Sequence, residues 1–206
     1  MNDEIGTVVS WPRLAEHLRR SAEIPWLELR GSWDNRPPMA TPQHGAFLLV
    51  HLPARQWLLE QPVGTTRLVG DTEVQATISG GDVRIHTGDA GWVQEAAGMV
   101  AAPTSWFGND DEIEVVEIPG RETVAGRSCS RFLVKYSRHS QRRMMLWLDD
   151  EWPLVLAARS VDQEHREQAR FEMAVTEVRM ATGSRVSRCA QIVADTLQAG
   201  AALLAR

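Results

Sequence analysis

The fold is decided by the stretch Arg143-Met144-Met145-Leu146-Trp147-Leu148-Asp149, which continues through Asp150-Glu151-Trp152-Pro153 into a second apolar run from Leu154 to Val161. Each apolar run has the length of a strand, and the acidic, proline-containing segment between them is typical of a turn. We therefore predict a β-hairpin. Because the first run carries apolar residues at consecutive positions, we also predict that both faces of the sheet are covered.

Segments with the length and apolar pattern of strands recur over most of the chain. The pattern is clearest where Phe171, Met173 and Val175 occupy every second position of a strand. Proline and glycine divide the remainder into predicted strands at residues 25–31, 45–52, 56–61, 66–70, 73–78, 112–118, 130–136, 143–149, 154–161 and 168–178, with two short strands between 84 and 93. Residues 96–111, which include Trp106 and Phe107, are predicted to form a loop.

A helical period appears only near the two ends of the chain. Residues 10–20 carry apolar side chains on one face, with Ser10 as the candidate N-cap. Beyond Gly183, a second apolar stripe runs through Cys189, Val193 and Leu197. We predict one short N-terminal helix and one C-terminal helix.

Consecutive strands bracketed by two helices predict a mainly β (α+β) fold built on one antiparallel meander. A sheet of this size twists and curls, and amphipathic helices are the natural cover for its concave side. No linker or repeat divides the sequence. We predict a single domain over residues 1–206, with the sheet at about residues 24–180 and the C-terminal helix at about residues 184–205.

Composition excludes several classes of protein. The 206 residues include 22 basic and 27 acidic side chains, for a formal net charge of −5, which argues against a nucleic-acid partner. Hydrophobic residues at 43% and charged residues at 24% exclude a disordered chain. No apolar stretch approaches the ~20 residues of a membrane span. The acidic start predicts no signal peptide, hence a cytoplasmic location as the sequence stands, or an extracytoplasmic one if the N-terminus was trimmed.

The sequence offers little for catalysis. It contains no G-x-S-x-G, Walker A, H-E-x-x-H or G-x-G-x-x-G motif, and its six histidines are dispersed. We predict no enzymatic activity, no catalytic residue, no metal and no cofactor. Cys129 lacks an evident general base, and Cys129 and Cys189 are either small buried hydrophobes or a disulfide pair.

Tryptophan is unusually frequent, with eight residues against one tyrosine. Apolar side chains also occupy consecutive positions in residues 47–50, 57–59 and 144–148, so neither sheet face reads as solvated. Helices would cover one face, and a partner or an apolar ligand the other. Methionines such as Met144 and Met173 add the adaptable surface that apolar binding sites use.

A family resemblance rests on Val124-Ala125-Gly126-Arg127, the strand that ends at Tyr136, residues 143–149, Pro153-Leu154-Val155-Leu156 and the strand through Phe171. These segments resemble the N-terminal domain of the RseB/MucB regulators of the sigma-E response and, more widely, the LolA/LolB superfamily of lipoprotein carriers. Upstream, Pro53, Arg55, Trp57, Leu59 and Val69-Gly70-Asp71 are similar to a hairpin of that superfamily. The resemblance spans residues 45 to 180.

The resemblance implies a curved, unclosed antiparallel half-barrel whose concave face is covered by the N- and C-terminal helices and encloses an apolar cavity. Such a cavity would receive an acyl chain, a lipid or a segment of an outer-membrane protein. The chain departs from the exported regulators because it shows no signal peptide and only one helix after residue 183.

We therefore predict non-enzymatic binding of a lipid, acyl chain or other apolar ligand, with a carrier or regulatory role. The alternative is a protein–protein interaction module, RseB/MucB-like or homodimeric, that uses the apolar sheet face and the C-terminal helix. The predicted ligand-lining residues are Trp57, Leu59, Trp106, Phe107, Leu146, Leu148, Phe171 and Met173, with the helix from Cys189 to Leu204 near the entrance.

Overall fold

The computed structural model describes residues 6–19, 26–36, 41–51, 57–60, 67–70, 74–79, 82–87, 113–136, 143–161, 170–181 and 183–204. Within them lie two helices, α1 (Trp11–Arg19) and α2 (Gly183–Leu204). The strands are β1 (Thr7–Ser10), β2 (Leu27–Arg36), β3 (Gln43–His51), β4 (Trp57–Glu60), β5 (Arg67–Gly70), β6 (Val74–Ser79), β7 (Asp82–Thr87), β8 (Ile113–Val124), β9 (Arg127–Tyr136), β10 (Arg143–Asp149), β11 (Val155–Ser160) and β12 (Arg170–Met180).

All twelve strands form one antiparallel sheet in the order β1-β8-β9-β10-β11-β12-β2-β3-β4-β5-β6-β7. Two meanders, β2 to β7 and β8 to β12, are joined by the pairing of β12 with β2. That seam runs in register from Arg170 opposite Arg36 to Met180 opposite Leu27. Because β1 and β7 are the end strands of the described sheet, it is not closed, and the predicted mainly β, unclosed antiparallel fold is confirmed.

The sheet curls strongly. β8 and β12 are four positions apart, so a flat sheet would separate them by about 19 Å. Their residues instead approach within 8 Å between Cα atoms. β-bulges within β8 and β12, and one in the pairing of β10 with β11, bend the strands locally.

The concave face is the apolar one. A row of directly opposed residues crosses it, and Phe132, Leu146, Ala158 and Met173 of this row are all buried. Side chains of the opposite parity on the same strands, such as Leu133, are partly exposed. α1 packs its buried apolar stripe against the concave-face cluster, as its 3.6-residue period requires.

The C-terminal helix lies on the other side of the sheet, which differs from the prediction that both helices cover the concave face. Val186, Cys189 and Val193 of α2 form a separate buried cluster with Val50 and Leu58. The strand neighbours of those two sheet residues point the opposite way, into the concave-face cluster. At residues 49–50 and 58–59 both faces of the sheet are apolar and must be covered. The apolar stripe of α2 does not specify which of the two faces the helix packs on.

Several element boundaries also differ from the predictions. β1 was not predicted, because it offers only four residues before α1. The strand predicted at residues 25–31 extends to Arg36, and the one predicted at residues 112–118 extends to Val124. The loop predicted at residues 96–111, and the second of the two short strands predicted between 84 and 93, lie outside the described residues.

The turn between β8 and β9 explains why that hairpin is longer than expected. Its two residues, Ala125 and Gly126, have φ angles of 51° and 77°. Positive φ at both positions marks the tight hairpin turn that usually carries Asn-Gly. Alanine gives no such signal, so the sequence did not predict a two-residue connection.

We expect Ala125→Asn to raise the free energy of unfolding by about 0.5–1 kcal/mol, because asparagine tolerates the left-handed conformation better than alanine. The matched control is Gly126→Ala. A β-carbon there would meet nothing within 4 Å, so only backbone strain is added, and a loss of about 1–2 kcal/mol is expected. Urea denaturation measures both, and an Ala125→Asn variant less stable than the wild type would contradict the assignment.

Candidate functional site

The predicted ligand-lining residues within the described part of the chain converge on one surface. Trp57, Leu59, Leu146, Leu148, Phe171 and Met173 all belong to a single buried cluster. Strand register places all six on the concave face, although they come from three strands, β4, β10 and β12, in both meanders. Trp106 and Phe107 lie outside the described residues. That these side chains line a ligand site stays a prediction.

Two aromatic rings lie across glycines on this face. A β-carbon at Gly31 would fall 2.3 Å from Phe47 Cζ, and one at Gly45 would fall 3.0 Å from Trp33 Nε1. In the β2–β3 register, Gly31 is opposite Phe47 and Trp33 is opposite Gly45. Each ring therefore rests on the backbone of the neighbouring strand, which holds it close to the sheet.

Polarity changes along the concave side of β2. Leu27 and Leu29 are fully buried, Trp33 is partly buried, and Asn35 follows two positions later. Asn35 is opposite the exposed Gln43 on β3. One end of this surface is thus hydrocarbon and the other end is lined by amides, with the indole of Trp33 between them.

Sequence reasoning did not single out Trp33, yet its ring carries an unusual polar atom. Trp33 Nε1 is buried and has no hydrogen-bond partner within the described part of the chain. Leaving such a donor unpaired in the interior costs about 1–3 kcal/mol. Since most buried polar groups find partners, this one marks a place where an external acceptor would be favourable.

A structural clamp at one end of the sheet is built by Arg127, which ends the motif at residues 124–127, together with Asp149, Glu151 and Trp152. Arg127 binds Asp149 through Nε and Nη2, and its Nη2 lies 2.9 Å from Glu151 Oε2. Asp149 Oδ1 also accepts the backbone N–H groups of Glu151 and Trp152, each at 2.9 Å. These carboxylates raise the pKa of Arg127 above its ordinary value, with the Asp149 hydrogen bond as the largest cause.

The same arginine also stacks on an aromatic ring. Arg127 Cζ lies 3.7 Å from the centre of the Trp152 ring. The clamp thus ties the β8–β9 turn to the β10–β11 turn. Its charged groups are satisfied by one another, so the motif serves the fold rather than a reaction.

Cys129 is unsuited to nucleophilic chemistry. Burial, and next the nearby charge of Asp149, raise the pKa of its thiol to about 11. The question of a disulfide is also resolved. Cys129 belongs to the larger concave-face cluster and Cys189 to the cluster beneath α2 on the opposite face, so the two do not pair.

Among the described residues, no group of three or more His, Cys, Asp or Glu side chains is arranged to hold a metal ion. Of the two helices, neither is long and apolar enough to cross a membrane.

A curled, unclosed antiparallel sheet with an N-terminal helix on its concave face defines the class: the chain has the fold seen in structures of MucB. A solved structure with this fold is MucB, at a TM-score of 0.56 and 14% identity over 86% of this chain. In the complex structure of Pseudomonas aeruginosa MucA/MucB, the values are 0.52 and 16% over 84% of this chain. This chain spans 61% and 59% of those two chains, respectively.

The resemblance drawn from the sequence is confirmed at the level of the fold, which is all that such low identities establish. A LolA superfamily protein from Nitrosomonas europaea also aligns, at 7% identity over 86% of this chain and 96% of its own, but its TM-score of 0.39 carries no weight. No family model matches the chain, and no curated protein matches it in sequence.

The clamp generates a prediction about stability. We expect Arg127→Leu to lower the free energy of unfolding by about 3–5 kcal/mol, because it leaves the buried Asp149 carboxylate without its counter-charge. Arg36→Leu is the matched control. It removes an exposed ion pair with Asp34, which solvent screens, so it should lower stability far less than Arg127→Leu does. Urea denaturation gives both values, and equal losses would show that the clamp contributes nothing special.

The raised pKa of the Cys129 thiol leads to a second prediction, which concerns its reactivity. With a pKa of about 11, about one thiol in a thousand is ionised at pH 8. We expect iodoacetamide to leave Cys129 unmodified in the native protein at that pH and to modify it fully in urea. Peptide mapping by mass spectrometry measures the modification, and rapid native labelling would contradict the burial of this side chain.

Proposed function

We propose that this domain binds an acyl chain or a similar apolar ligand without catalysing a reaction on it. The observation that carries the proposal is one continuous apolar face, built from strands of both meanders and covered by a helix of nine residues. Apart from Cys129, the buried side chains of that cluster are aliphatic, aromatic or methionine, which suits a hydrocarbon.

The energies are adequate for carriage. Burying each methylene contributes about 0.8 kcal/mol, so a long acyl chain gains on the order of 10 kcal/mol before ordering costs. The α1 side chains that pack on the same surface are Trp11, Leu14, Ala15 and Leu18. At about 1.5–3 kcal/mol for each large one, that contact is of the same order as the gross gain from a long acyl chain.

Methionine supplies the adaptability that such a site requires. Met173 lies in the centre of the concave face, and Met144 lies on the same face with part of its surface exposed. Unbranched, polarisable side chains fill a cavity in several ways, which suits ligands of varying length.

A carrier of lipoprotein acyl chains would work outside the cytoplasm, whereas free fatty acids and phospholipids are encountered on either side of the membrane. An acyl ligand is therefore available to this domain in either compartment.

A second candidate is a protein-docking role, favoured by a different surface. Val8, Val116, Leu133 and Met145 are directly opposed across β1, β8, β9 and β10 on the convex face. Val8 is 73% exposed and the other three are partly exposed. MucB, a protein with this fold, has been solved in complex with MucA from Pseudomonas aeruginosa.

Docking through the C-terminal helix α2 is less favoured than docking through the convex face of the sheet. Leu197 and Ile192 of α2 pack into the cluster with Val50 and Leu58, so the apolar stripe of the helix already has a cover. Leu197→Asp would therefore disturb the fold, and a docking test belongs on the convex row instead.

Two adjacent methionines separate the candidates. Met144 and Met145 are consecutive on β10, both partly buried, and face opposite sides of the sheet. We expect Met144→Gln to weaken binding of 11-(dansylamino)undecanoic acid at least fivefold, because a polar amide is then desolvated against the ligand. Met145→Gln should change the affinity less than twofold. Fluorescence titration measures both, together with native mass spectrometry for a co-purifying lipid.

The contrary outcomes are distinct. A wild-type protein that binds no acyl probe and carries no lipid would overturn the ligand proposal. Self-association seen by light scattering and abolished by Met145→Gln, with Met144→Gln unaffected, would favour the docking role instead.

A further inference from the structure

We propose that Trp33 is the polar anchor of the site, where its indole N–H donates to a carboxylate or ester oxygen at the head of an acyl ligand. The inference rests on the proposed function and deepens it, since it names the class of ligand: a hydrocarbon chain whose first carbons carry a hydrogen-bond acceptor.

The first support is the unpaired donor. Trp33 Nε1 is buried and lacks a hydrogen-bond partner in the described residues. An acceptor supplied by a ligand removes the energetic cost of leaving this buried donor unsatisfied. A purely hydrocarbon ligand removes none of it.

The second support is the way in which the ring is held. Directly opposite Trp33 is Gly45, and a β-carbon there would lie only 3.0–3.2 Å from Nε1, Cε2 and Cζ2 of the indole. On its other side, Trp33 is opposite Met173 of β12. The nitrogen-bearing edge of the ring is therefore fixed against the sheet, so the donor is positioned in advance of binding.

The third support is the change of polarity along the strand. From Leu27 to Trp33 the concave side of β2 is apolar over about 20 Å, a length comparable with an extended fatty acyl chain. Asn35 and Gln43 then follow on the same face. Indoles favour such boundaries because the ring is apolar and its N–H is polar. The ligand is oriented with its tail towards Leu27 and its head at Trp33.

The test compares Trp33→Phe with Trp147→Phe. Trp33→Phe keeps an aromatic ring and removes the donor. Trp147 alternates with Leu146 and Leu148 on β10, and its N–H already donates to Glu122 Oε2 at 2.7 Å, so it serves as the matched control. The probes are tetradecanoic acid, a tetradecanoyl lysophosphatidylcholine and tetradecane delivered from cyclodextrin.

We expect Trp33→Phe to weaken tetradecanoic acid about three- to tenfold, as the loss of one net hydrogen bond predicts, and to leave tetradecane unchanged. Trp147→Phe should leave both affinities unchanged. In ¹H–¹⁵N spectra, the indole resonance that disappears in Trp33→Phe should move downfield with the acid and stay in place with the alkane. A similar response to the lysophospholipid would point to an ester head, and its absence to a free fatty acid.

Failure takes two separable forms. If the wild type binds tetradecanoic acid and Trp33→Phe binds it equally well with no movement of the indole resonance, the anchor is overturned and the proposed function stands. If the wild type binds none of the three probes, the proposed function falls and the anchor falls with it.

Discussion

The structure depends on one constraint. β3 and β4 carry apolar side chains on both of their faces, so both faces of the sheet must be covered at these strands. Leu49 and Leu59 point into the concave cluster, and their neighbours Val50 and Leu58 point into the cluster beneath α2. A two-sided apolar sheet is stable only as a middle layer. α1 on one side and α2 on the other satisfy that requirement, and the curl of the sheet lets one short helix serve the concave side.

Much of this architecture was predictable, because strand and helix periods are local signals. The hairpin around Asp149-Asp150-Glu151-Trp152-Pro153, the helix beginning near Trp11 and the single antiparallel sheet were all indicated by spacing alone. The placement of α2 was not, because an apolar stripe specifies that a helix packs and leaves open which surface it packs on. β1 and the turn at Ala125 were not predicted, because their conformations are set by strand pairing rather than by the propensities of their residues.

The grouping of apolar residues on the concave face could be predicted in part. Trp57 and Met173 lie about 115 positions apart in the sequence and share one buried cluster. That each faces the apolar side of its strand could be predicted, because side chains alternate between the two faces of a strand. Trp33 was missed, although a signal was present. The tripeptides Gly31-Ser32-Trp33 and Gly45-Ala46-Phe47 each place an aromatic residue two positions after a glycine, and antiparallel pairing sets every ring opposite a glycine. Such a reciprocal pattern on two predicted neighbouring strands indicates rings packed on backbone.

The seam between β12 and β2 has a consequence for how the chain reaches this structure. Thr176 Oγ1 donates to the carbonyl of Arg30 across a separation of 146 residues. Closing so long a loop costs conformational entropy before any stabilising contact forms. The hairpins within each meander close over short separations in sequence. On these grounds we expect the two meanders to form first as local units and the joining of the seam to be the slower step.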